Sequence, residues 1–579
     1  MVSHNLLIGL RNLALRAIKQ NKSIDRNLQL IRRRLQSMGV MQGFSRLGTK
    51  LFSDHSWRVA LDQIETGKKI LVATSLGSHL AALQMETALL AALLFRNASV
   101  HALLCDGVLP ACQLCEPRLF PEADELCRHG PQRRLCGDCF SPGKQVYAAM
   151  GIPLHRYGAY LDEGDYLYAA SASQEIALAD INELKLAEIR VGEHATAGAL
   201  RYFARSTLDD EPCGERILRL YLEAAILTAR VVERLLEKEK YEVLVFHHGI
   251  YVPQGVIGEV ARKLGVKVVN WNPAYRKHCF IFSHGDTYHH TLMSEPTSAW
   301  ESMPWNANLD KRLMDYLRSR WRGESDWIRF TERPYFEKNN ILAEIGCDPE
   351  RTIIGLLTNV AWDAQLHYPA NAFPNMLEWL LTTIRYFERR QDLQLVIRVH
   401  PAEIRGSVPT RQPVVDMLKD HFGALPGNVY VVPPESEIST YSFAELCDSV
   451  LIYGTKTGVE LSAVGIPVIV AGEAWIRNKG ITEDATSPES YRALLDRLPL
   501  QKRLPVEVVE RARKYAYHFF FRRMIPVGIF NENTGSPPYL LRKDALERLK
   551  PGADPGVDCI CNGILYDRPF VFDDVSAAH

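Results

Sequence analysis

The sequence predicts an α/β protein built from two doubly wound, Rossmann-like domains that face a cleft. Its 579 residues are too many for a single hydrophobic core. Apolar runs of strand length alternate with helical stretches in two separate series, as in parallel sheets covered on both faces. A Trp- and Arg-rich segment at 296–350, which we interpret as a linker, separates the two series. The composition, 47% hydrophobic and 23% charged, is typical of a globular protein.

The first element is a basic helical arm, assigned to residues 1–55. Residues 1–50 hold ten Lys and Arg against one acid, Asp25, and their leucines recur at helical spacing. The pattern indicates a basic amphipathic helix. One interpretation places this helix on an anionic membrane surface, as a peripheral contact at the inner face. The other interpretation packs it against the rest of the protein.

The first α/β series predicts an N-terminal domain over residues 56–295. Helical stretches at 80–94, 216–239 and 254–264 separate its apolar runs. Each run is short and continuously apolar, which favours buried parallel strands. The predicted strands are KKILVATS (68–75), SVHALLCD (99–106), YEVLVFHHG (241–249) and KVVNWNP (267–273).

The second series predicts a C-terminal domain over residues 351–502. Helices are expected at 376–389, 443–446 and 459–464. Residues 503–579 follow as a tail, in which 503–525 has the pattern of one long amphipathic helix. The predicted strands are TIIGLLTN (352–359), LQLVIRVHP (393–401), NVYVVPP (428–434), SVLIYG (449–454) and IPVIVAG (466–472).

Polar residues follow each strand of the second domain. In open parallel sheets, ligands bind at the carboxyl ends of the strands. Backbone N–H groups at a helix start suit a phosphate, and an acid one turn later suits ribose hydroxyls. The candidate binding residues are Asn359, Asp363, Arg398, His400, Thr455, Lys456, Thr457, Gly458 and Glu460.

The turn GTKTGVE has two interpretations. Thr457 and Glu460 have the spacing of a capping box, which needs no ligand. Lys456 is not explained in this way, because a cation beside a helix N-terminus opposes the helix dipole. A bound anion between the two would remove the conflict, so Lys456 points to a phosphate.

The strand ends of the first domain carry His79, Asp106 and the pair His247–His248, and His289 and His290 follow further on. Histidine suits general base catalysis near neutral pH. Any one of these histidines can equally be structural.

The cysteines predict a structural zinc site. Cys112 and Cys115 are separated by twenty residues from Cys136 and Cys139, and each pair has the C-x2-C spacing of a zinc knuckle. The insert at 105–140 is rich in Pro and Gly and would benefit from a metal. No export signal is recognisable, which disfavours disulfides. Free buried thiols are the alternative.

Several segments resemble one family. TNVAWD (358–363), RVHPAE (398–403) and YSFAELCDSVLIYGTKTGVELSAVGIPVIV (441–470) are similar to the donor half of GT-B glycosyltransferases. The resemblance is strongest to the capsule and surface-polysaccharide transferases of the Kdo-transferase type. The stretches 247–276 and 282–291 are also similar to this group. The family usually has Ser-Thr where this chain has Thr455–Lys456.

The resemblance implies a GT-B-like fold, in which the helix predicted at 503–525 crosses back to the first domain, and it implies the roles of the site residues. His400, Ser442, residues 455–458 and Glu460 would hold the phosphate and ribose of a nucleotide-activated donor. The catalytic base would come from the first domain, with His79, Asp106 or His248 as candidates. No catalytic metal is expected, because basic side chains and a helix N-terminus would stabilise the leaving phosphate.

The expected function is therefore glycosyl transfer from a CMP-, UDP- or GDP-sugar to a glycan or lipid-linked acceptor in surface-polysaccharide assembly. Two alternatives remain, a non-hydrolysing sugar-nucleotide 2-epimerase and a non-catalytic nucleotide- or glycan-binding protein. Lys and Arg equal Asp and Glu at 68 each, which argues against a nucleic-acid partner. The expected location is the cytoplasm, with or without peripheral membrane contact.

Overall fold

A computed structural model describes residues 43–44, 46–48, 50–53, 55–62, 67–327, 337–363, 370–406 and 408–573. Most of the basic arm predicted at 1–55 lies outside the described residues, so its helix and its membrane contact stay predictions. Within the described ranges, no helix combines the length and the apolar character needed to cross a bilayer.

The strands form two main sheets and one short hairpin. They are, in chain order, β1 (Lys69–Ser75), β2 (Ser99–Leu104), β3 (Leu154–Arg156), β4 (Val243–His247), β5 (Lys267–Pro273), β6 (Cys279–His284), β7 (Ile353–Leu357), β8 (Gln394–Arg398), β9 (Val429–Val432), β10 (Ser449–Ile452), β11 (Val468–Val470), β12 (Glu483–Asp484), β13 (Ile525–Pro526), β14 (Phe530–Glu532) and β15 (Tyr539–Leu541).

The first sheet has the order β13-β6-β5-β4-β1-β2-β3, and the second has the order β12-β11-β10-β7-β8-β9. Strands β1 to β5 pair in parallel, β6 and β13 join antiparallel, and the whole second sheet is parallel. In each sheet the strand order reverses once, beside β1 in the first and beside β7 in the second. These reversals are the switch points at which α/β proteins bind ligands.

Helices cover both faces of each sheet. They are α1 (His55–Asp62), α2 (Leu80–Leu94), α3 (Ala123–His129), α4 (Gly137–Met150), α5 (Glu163–Glu175), α6 (Val191–Phe203), α7 (Gly214–Glu239), α8 (Gln254–Lys263), α9 (Tyr288–Ser294), α10 (Ser298–Glu301), α11 (Ala307–Trp321), α12 (Lys338–Ile345), α13 (Met376–Phe387), α14 (Ala402–Arg405), α15 (Val414–Phe422), α16 (Thr440–Leu446), α17 (Thr457–Ala463), α18 (Pro488–Asp496), α19 (Val506–Tyr517), α20 (Ala545–Leu549) and α21 (Pro555–Tyr566).

Alternate residues of the central strands enter separate cores, because successive side chains of a strand point to opposite faces. In β1, Ile70 and Val72 pack in one core and Leu71 packs in the other. In β10, Val450 packs in one core and Leu451 in the other. Both sheets are thus covered on two sides, and the predicted GT-B-like fold of two doubly wound units is confirmed.

The chain crosses between the two sheets twice. The first crossing leaves β6 and includes α10 and α11, and the second returns through α19 to β13 at the edge of the first sheet. The crossings pack together: Trp300 and Tyr515 lie 5.3 Å apart between ring centroids, and Arg513 Nη1 is 3.0 Å from Asp310 Oδ1. The prediction of one long helix at 503–525 was wrong in its C-terminal part. There α19 ends at Tyr517 and a π-helical turn, His518–Arg523, leads into β13.

Candidate functional site

A cavity lies at the carboxyl edge of the second sheet, at the switch point between β7 and β10. Its volume is about 400 Å³. Residues after β7, β8, β10 and β11 form one wall, and residues from the first crossing and the first domain form the other. The predicted binding residues in its wall are Asn359, Asp363, Arg398, His400, Thr455, Lys456 and Thr457. Ser442, Gly458 and Glu460 lie behind the wall.

Lys456, Glu460, Arg320 and Asp326 form a buried ionic network at the base of the cavity. Glu460 is fully buried, and its carboxylate lies 3.0 Å from Arg320 Nε and 3.2 Å from Lys456 Nζ. Arg320 also contacts Asp326. Burial alone would raise the pKa of Glu460, but the two adjacent cations hold it at about 2. The network balances two positive charges with two negative ones.

This network changes the interpretation of the turn GTKTGVE at residues 454–460. The N-cap of α17 is Lys456, with no side-chain capping bond, and Glu460 faces the two cations instead of the backbone. The capping-box interpretation of Thr457 and Glu460 was therefore wrong. The positive charge of Lys456 is matched by Glu460 within the chain, so the charge by itself does not require an external anion.

Lys456 nevertheless retains donors for a ligand. An ammonium has three N–H groups, and Glu460 takes one of them. The Nζ atom also lies 4.7 Å from the ring centroid of Tyr275, a first-domain residue in the opposite wall. Lys456 therefore stands where the two domains meet, with its pKa lowered by burial and by Arg320.

His400 lines the cavity, and its tautomer is set by the backbone. Its Nδ1 accepts a hydrogen bond from the backbone N–H of Ala402 at 3.0 Å, so the ring proton lies on Nε2. Burial, with Lys456 and Arg398 nearby, lowers the pKa of His400 to about 4, and the ring is neutral at pH 7. Asn359 accepts a hydrogen bond from Gly454 N at 3.4 Å and so links the ends of β7 and β10.

Arg398 was predicted to bind a ligand, but its guanidinium is hydrogen-bonded to the backbone of the protein. Its guanidinium donates to the backbone carbonyls of Pro433 at 2.5 Å, Ser436 at 3.0 Å and Ile438 at 3.4 Å. The side chain is 2% exposed. Arg398 therefore fixes the loop after β9, although part of it still borders the cavity.

Ser442 and Gly458 act through packing. Ser442 lies in the first turn of α16, where its N–H donates to the N-cap Ser439, and Ser439 is the serine that reaches the cavity wall. A Cβ on Gly458 would stand 2.7 Å from Ile452 Cδ1, so a glycine lets α17 lie close against β10.

The first-domain candidates His79 and His248 cluster at the other switch point. The His79 and His247 rings lie 5.1 Å apart, and those of His247 and His248 lie 5.8 Å apart. Burial, followed by the nearby Arg201, lowers the pKa of His79 to about 4 and that of His248 to about 3. Both are neutral at pH 7.

The two histidines differ in what their ring nitrogens do. His79 is the N-cap of α2, and its Nδ1 accepts from Ala82 N at 3.3 Å, which leaves the proton on Nε2. His248 has a left-handed backbone (φ 65°), and its buried Nδ1 has no hydrogen-bond partner among the described residues. Asp106, the third candidate, accepts from Gly158 N at 2.9 Å and lies outside the cavity wall.

Several wall residues were not among the predicted binding or catalytic residues, although His289 was one of the histidines noted in the sequence. His289, on α9, is a first-domain histidine that borders the cavity, and its ring centroid is 5.6 Å from that of Trp475. Burial lowers its pKa to about 3, with His248 contributing. Glu473 also borders the cavity and accepts from Ala370 N at 2.7 Å. The other additions are Tyr275, Arg320, Trp321, Asp326, Ser439, Thr440 and Tyr441.

A direct hydrogen bond joins the two domains at the cavity. The Tyr251 hydroxyl donates to Asp363 Oδ1 at 2.6 Å, and the Tyr251 ring stacks on His248 with centroids 5.0 Å apart. A second link lies nearby, where Gln412 Oε1 accepts from the N–H of Ser206 at 2.9 Å. One aromatic ring thus separates His248 from the cavity wall.

We expect Tyr251→Phe to weaken the closed arrangement of the domains. The substitution removes a hydrogen bond to a carboxylate, worth about 1.5–3 kcal/mol, and leaves the ring stacking in place. Small-angle scattering should show a larger radius of gyration than for the wild type. Tyr168→Phe, at an exposed tyrosine on α5, is the matched control and should scatter like the wild type. An unchanged radius for Tyr251→Phe would contradict a closing role.

The predicted zinc ligands are near one another but do not share a common point. Cys112, Cys115 and Cys139 are buried, and Cys136 is half-buried at the start of α4. Within the described ranges, no three cysteine sulfurs come within 4.8 Å of one another. The zinc knuckle stays a prediction.

No family model and no curated protein matches the sequence. Solved structures that resemble it include KpsC, a β-Kdo 2,4 transferase of Thermosulfurimonas dismutans, with 13% identity over 54% of this chain and 88% of that chain (TM-score 0.33). The UDP-GlcNAc 2-epimerase of Neisseria meningitidis shows 9% identity over 77% and 95% of the two chains (TM-score 0.22). The UDP-GlcNAc 2-epimerase of Methanocaldococcus jannaschii shows 10% identity over 77% and 98% (TM-score 0.26).

The Kdo-transferase type that the sequence resembles is thus represented among its structural neighbours. Identities and TM-scores this low assign no activity to the chain. The topology and the cleft define a protein of the GT-B-like fold class, and its function is argued from the site.

Proposed function

We propose that the protein is a glycosyltransferase that takes a sugar from a nucleotide-activated donor. The observation that carries the proposal is the cavity of about 400 Å³ at the switch point of the second sheet, closed by Tyr275 and His289 of the first domain. A site between two domains can bind donor and acceptor from opposite sides and exclude water when it closes.

The donor phosphates would bind beside Lys456. Lys456, His400, Thr455 and Thr457 all border the same space. Such donors match phosphate oxygens, and the bonds to Lys456 would be charge-assisted. These groups would also stabilise the leaving phosphate, so we propose that transfer needs no catalytic metal. Turnover should be the same with and without added Mg²⁺ or Mn²⁺.

We place the catalytic base in the first domain, at His248 or His289. Both are neutral at pH 7 and can accept the proton of an acceptor hydroxyl. His289 borders the cavity directly, and His248 lies behind the Tyr251 ring. His79 would serve as a hydrogen-bond donor, since its Nδ1 is committed to Ala82. Replacing the base by Gln should lower kcat by roughly 10²–10⁴-fold, and replacing the other should lower it less.

The deciding experiment is a donor screen. CMP, UDP and GDP are titrated into the full-length protein by calorimetry, and one of them should bind with the others weaker. The matching nucleotide-sugars are then incubated with glycan and lipid-linked acceptors, and the products are identified by mass spectrometry. If none of the three nucleotides binds, the glycosyltransferase proposal fails.

The second candidate function is a sugar-nucleotide 2-epimerase. Carboxylates suit the acid–base chemistry of epimerisation, and the cavity wall contains three of them, Asp326, Asp363 and Glu473. The same incubation separates the two functions, because an epimerase converts the nucleotide-sugar without an acceptor. Nucleotide binding without either product would indicate a non-catalytic binding protein.

We propose a surface-glycan acceptor and a cytoplasmic location on the basis of the sequence resemblance.

A further inference from the structure

A cluster of imidazole, phenol and carboxylate groups lies far from the cleft, near the amino-terminal end of the first sheet. His101 projects from β2 and His155 from β3, while Tyr241 precedes β4 and Glu239 is the last residue of α7. His101, His155 and Glu239 each place a ligand atom within 4.8 Å of the other two. The site needs no part of the proposed function.

The nitrogen and oxygen atoms converge closely. His101 Nδ1 lies 3.0 Å from His155 Nε2, and the Tyr241 hydroxyl lies 2.7 Å from the first and 2.8 Å from the second. Each ring nitrogen holds either one proton or one lone pair, and the phenol has a single proton. At most two of the three contacts can be hydrogen bonds, so at least one pair of these polar atoms is in close contact without a proton between them.

A metal cation would satisfy all three atoms at once. Ligands around a tetrahedral Zn²⁺, with bonds of about 2.0–2.1 Å, stand about 3.3 Å apart. The distances of 2.7–3.0 Å within the cluster are slightly shorter than that separation, so the three side chains would move apart by less than about 1 Å on binding. Glu239 adds a negative charge. Its Oε2 is 2.8 Å from Lys69 Nζ, and Oε1 can bind a cation while that ion pair persists.

A partner of His155 supports the assignment. Metal-binding histidines usually donate their second N–H to an oxygen, which fixes the tautomer. His155 Nδ1 lies 2.6 Å from the hydroxyl of Tyr160, and when Nδ1 donates to that hydroxyl, Nε2 presents a lone pair to the cluster.

We propose that His101, His155 and Glu239, with Tyr241 beside them, bind a divalent first-row transition metal, Zn²⁺ by preference. Two imidazoles and a carboxylate are ligands that Zn²⁺ accepts readily. The ion would join β2, β3 and the end of α7, elements that are distant in sequence. Its role would be to stabilise the first domain, because the site lies at the edge of the sheet opposite the cleft.

The test is metal binding to the full-length protein after treatment with a chelator. Zn²⁺ is titrated by calorimetry into the wild type and into His101→Ala and His155→Gln, with His421→Ala, at an exposed histidine of α15, as the control. The wild type and the control should bind one more equivalent of Zn²⁺ than the two variants. Zn²⁺ should also raise the Tm of the wild type and not that of the variants.

Tyr160→Phe is a milder variant that keeps the test valid if a histidine variant fails to fold. It removes only the hydrogen bond to His155 and should weaken Zn²⁺ binding roughly 10–100-fold. Co²⁺ substitution separates this site from the cysteines, since thiolate ligands add intense charge-transfer bands and nitrogen and oxygen ligands do not. Equal Zn²⁺ stoichiometry and affinity in all variants, or only a thiolate-type Co²⁺ spectrum in the wild type, would overturn the proposal.

Discussion

Replacing Arg320 by Met is expected to lower the free energy of unfolding by about 3–5 kcal/mol, the cost of breaking a buried ion pair by removing one partner. Glu460 is fully buried, and Arg320 Nε is 3.0 Å from its Oε2. The substitution keeps an unbranched apolar stem but removes the guanidinium, and Lys456 is then the one remaining cation of the network beside Glu460 and Asp326. Urea unfolding at pH 7 measures the loss.

Two further variants test whether the loss of stability comes from the ionic network. Arg318→Met lies on the same helix at a largely exposed position, and it should change stability by no more than about 0.5 kcal/mol. The double variant Arg320→Met with Glu460→Gln removes the uncompensated charge and should recover part of the loss. If Arg320→Met is as stable as Arg318→Met, the network does not stabilise the fold.

The ion pair between Arg320 and Glu460 also makes the stability of the protein depend on pH. The folded-state pKa of Glu460 is about 2, below its ordinary value of 4.5. A carboxylate whose pKa is lowered by folding stabilises the protein at pH values above its ordinary pKa. This contribution is lost as the pH falls through the pKa of the folded state. The wild type should therefore lose stability between about pH 4.5 and pH 2. In Arg320→Met, whose Glu460 lacks its nearest cation, the loss over this window should be smaller.

Lys456→Met is expected to weaken nucleotide binding by roughly 10- to 100-fold, as for the loss of a charge-assisted hydrogen bond. The loss of stability should be smaller than in Arg320→Met, because Arg320 still contacts both Glu460 and Asp326 and the Lys456 side chain is partly exposed. Calorimetry with the nucleotide identified in the donor screen measures the effect. Lys419→Met, at an exposed lysine of the same domain, should bind like the wild type.

The outcome separates two roles for Lys456. A residue that binds phosphate loses affinity with little change in urea unfolding. A residue that only neutralises Glu460 loses stability and keeps its affinity. Wild-type affinity in Lys456→Met would remove the donor phosphates from this part of the cavity and leave the lysine as a structural counter-ion.

The sequence predicted the strands and the main helices because each depends on local apolar patterns. Strands β1, β4, β7 and β8 are continuously apolar and almost completely buried. The return of the chain to the first domain followed from the family resemblance, but strand β13 itself had no signal, since two residues make no pattern. The π-helical turn after Tyr517 keeps a near-helical spacing, so periodicity did not separate it from α19.

The site was predictable where it follows strand ends and not where it depends on distant partners. Asn359, His400 and Lys456 reach the cavity because parallel strands bring their carboxyl ends to one edge. Arg320 lies 140 residues before Glu460, and no local pattern pairs them. The sequence did give one signal for a buried ion pair. Glu460 lies in the largely apolar segment 457–463, and a carboxylate buried there needs a cation as its partner.

The two crossings between the sheets have a mechanical consequence. Because they run side by side and are joined through Trp300 and Tyr515, they act as one strut with two covalent strands. A single flexible tether would let the lobes twist and slide, whereas we expect a double one to restrict both motions and to favour bending about one axis. Opening and closing of the cleft would then bring Tyr275 back to the same position beside Lys456.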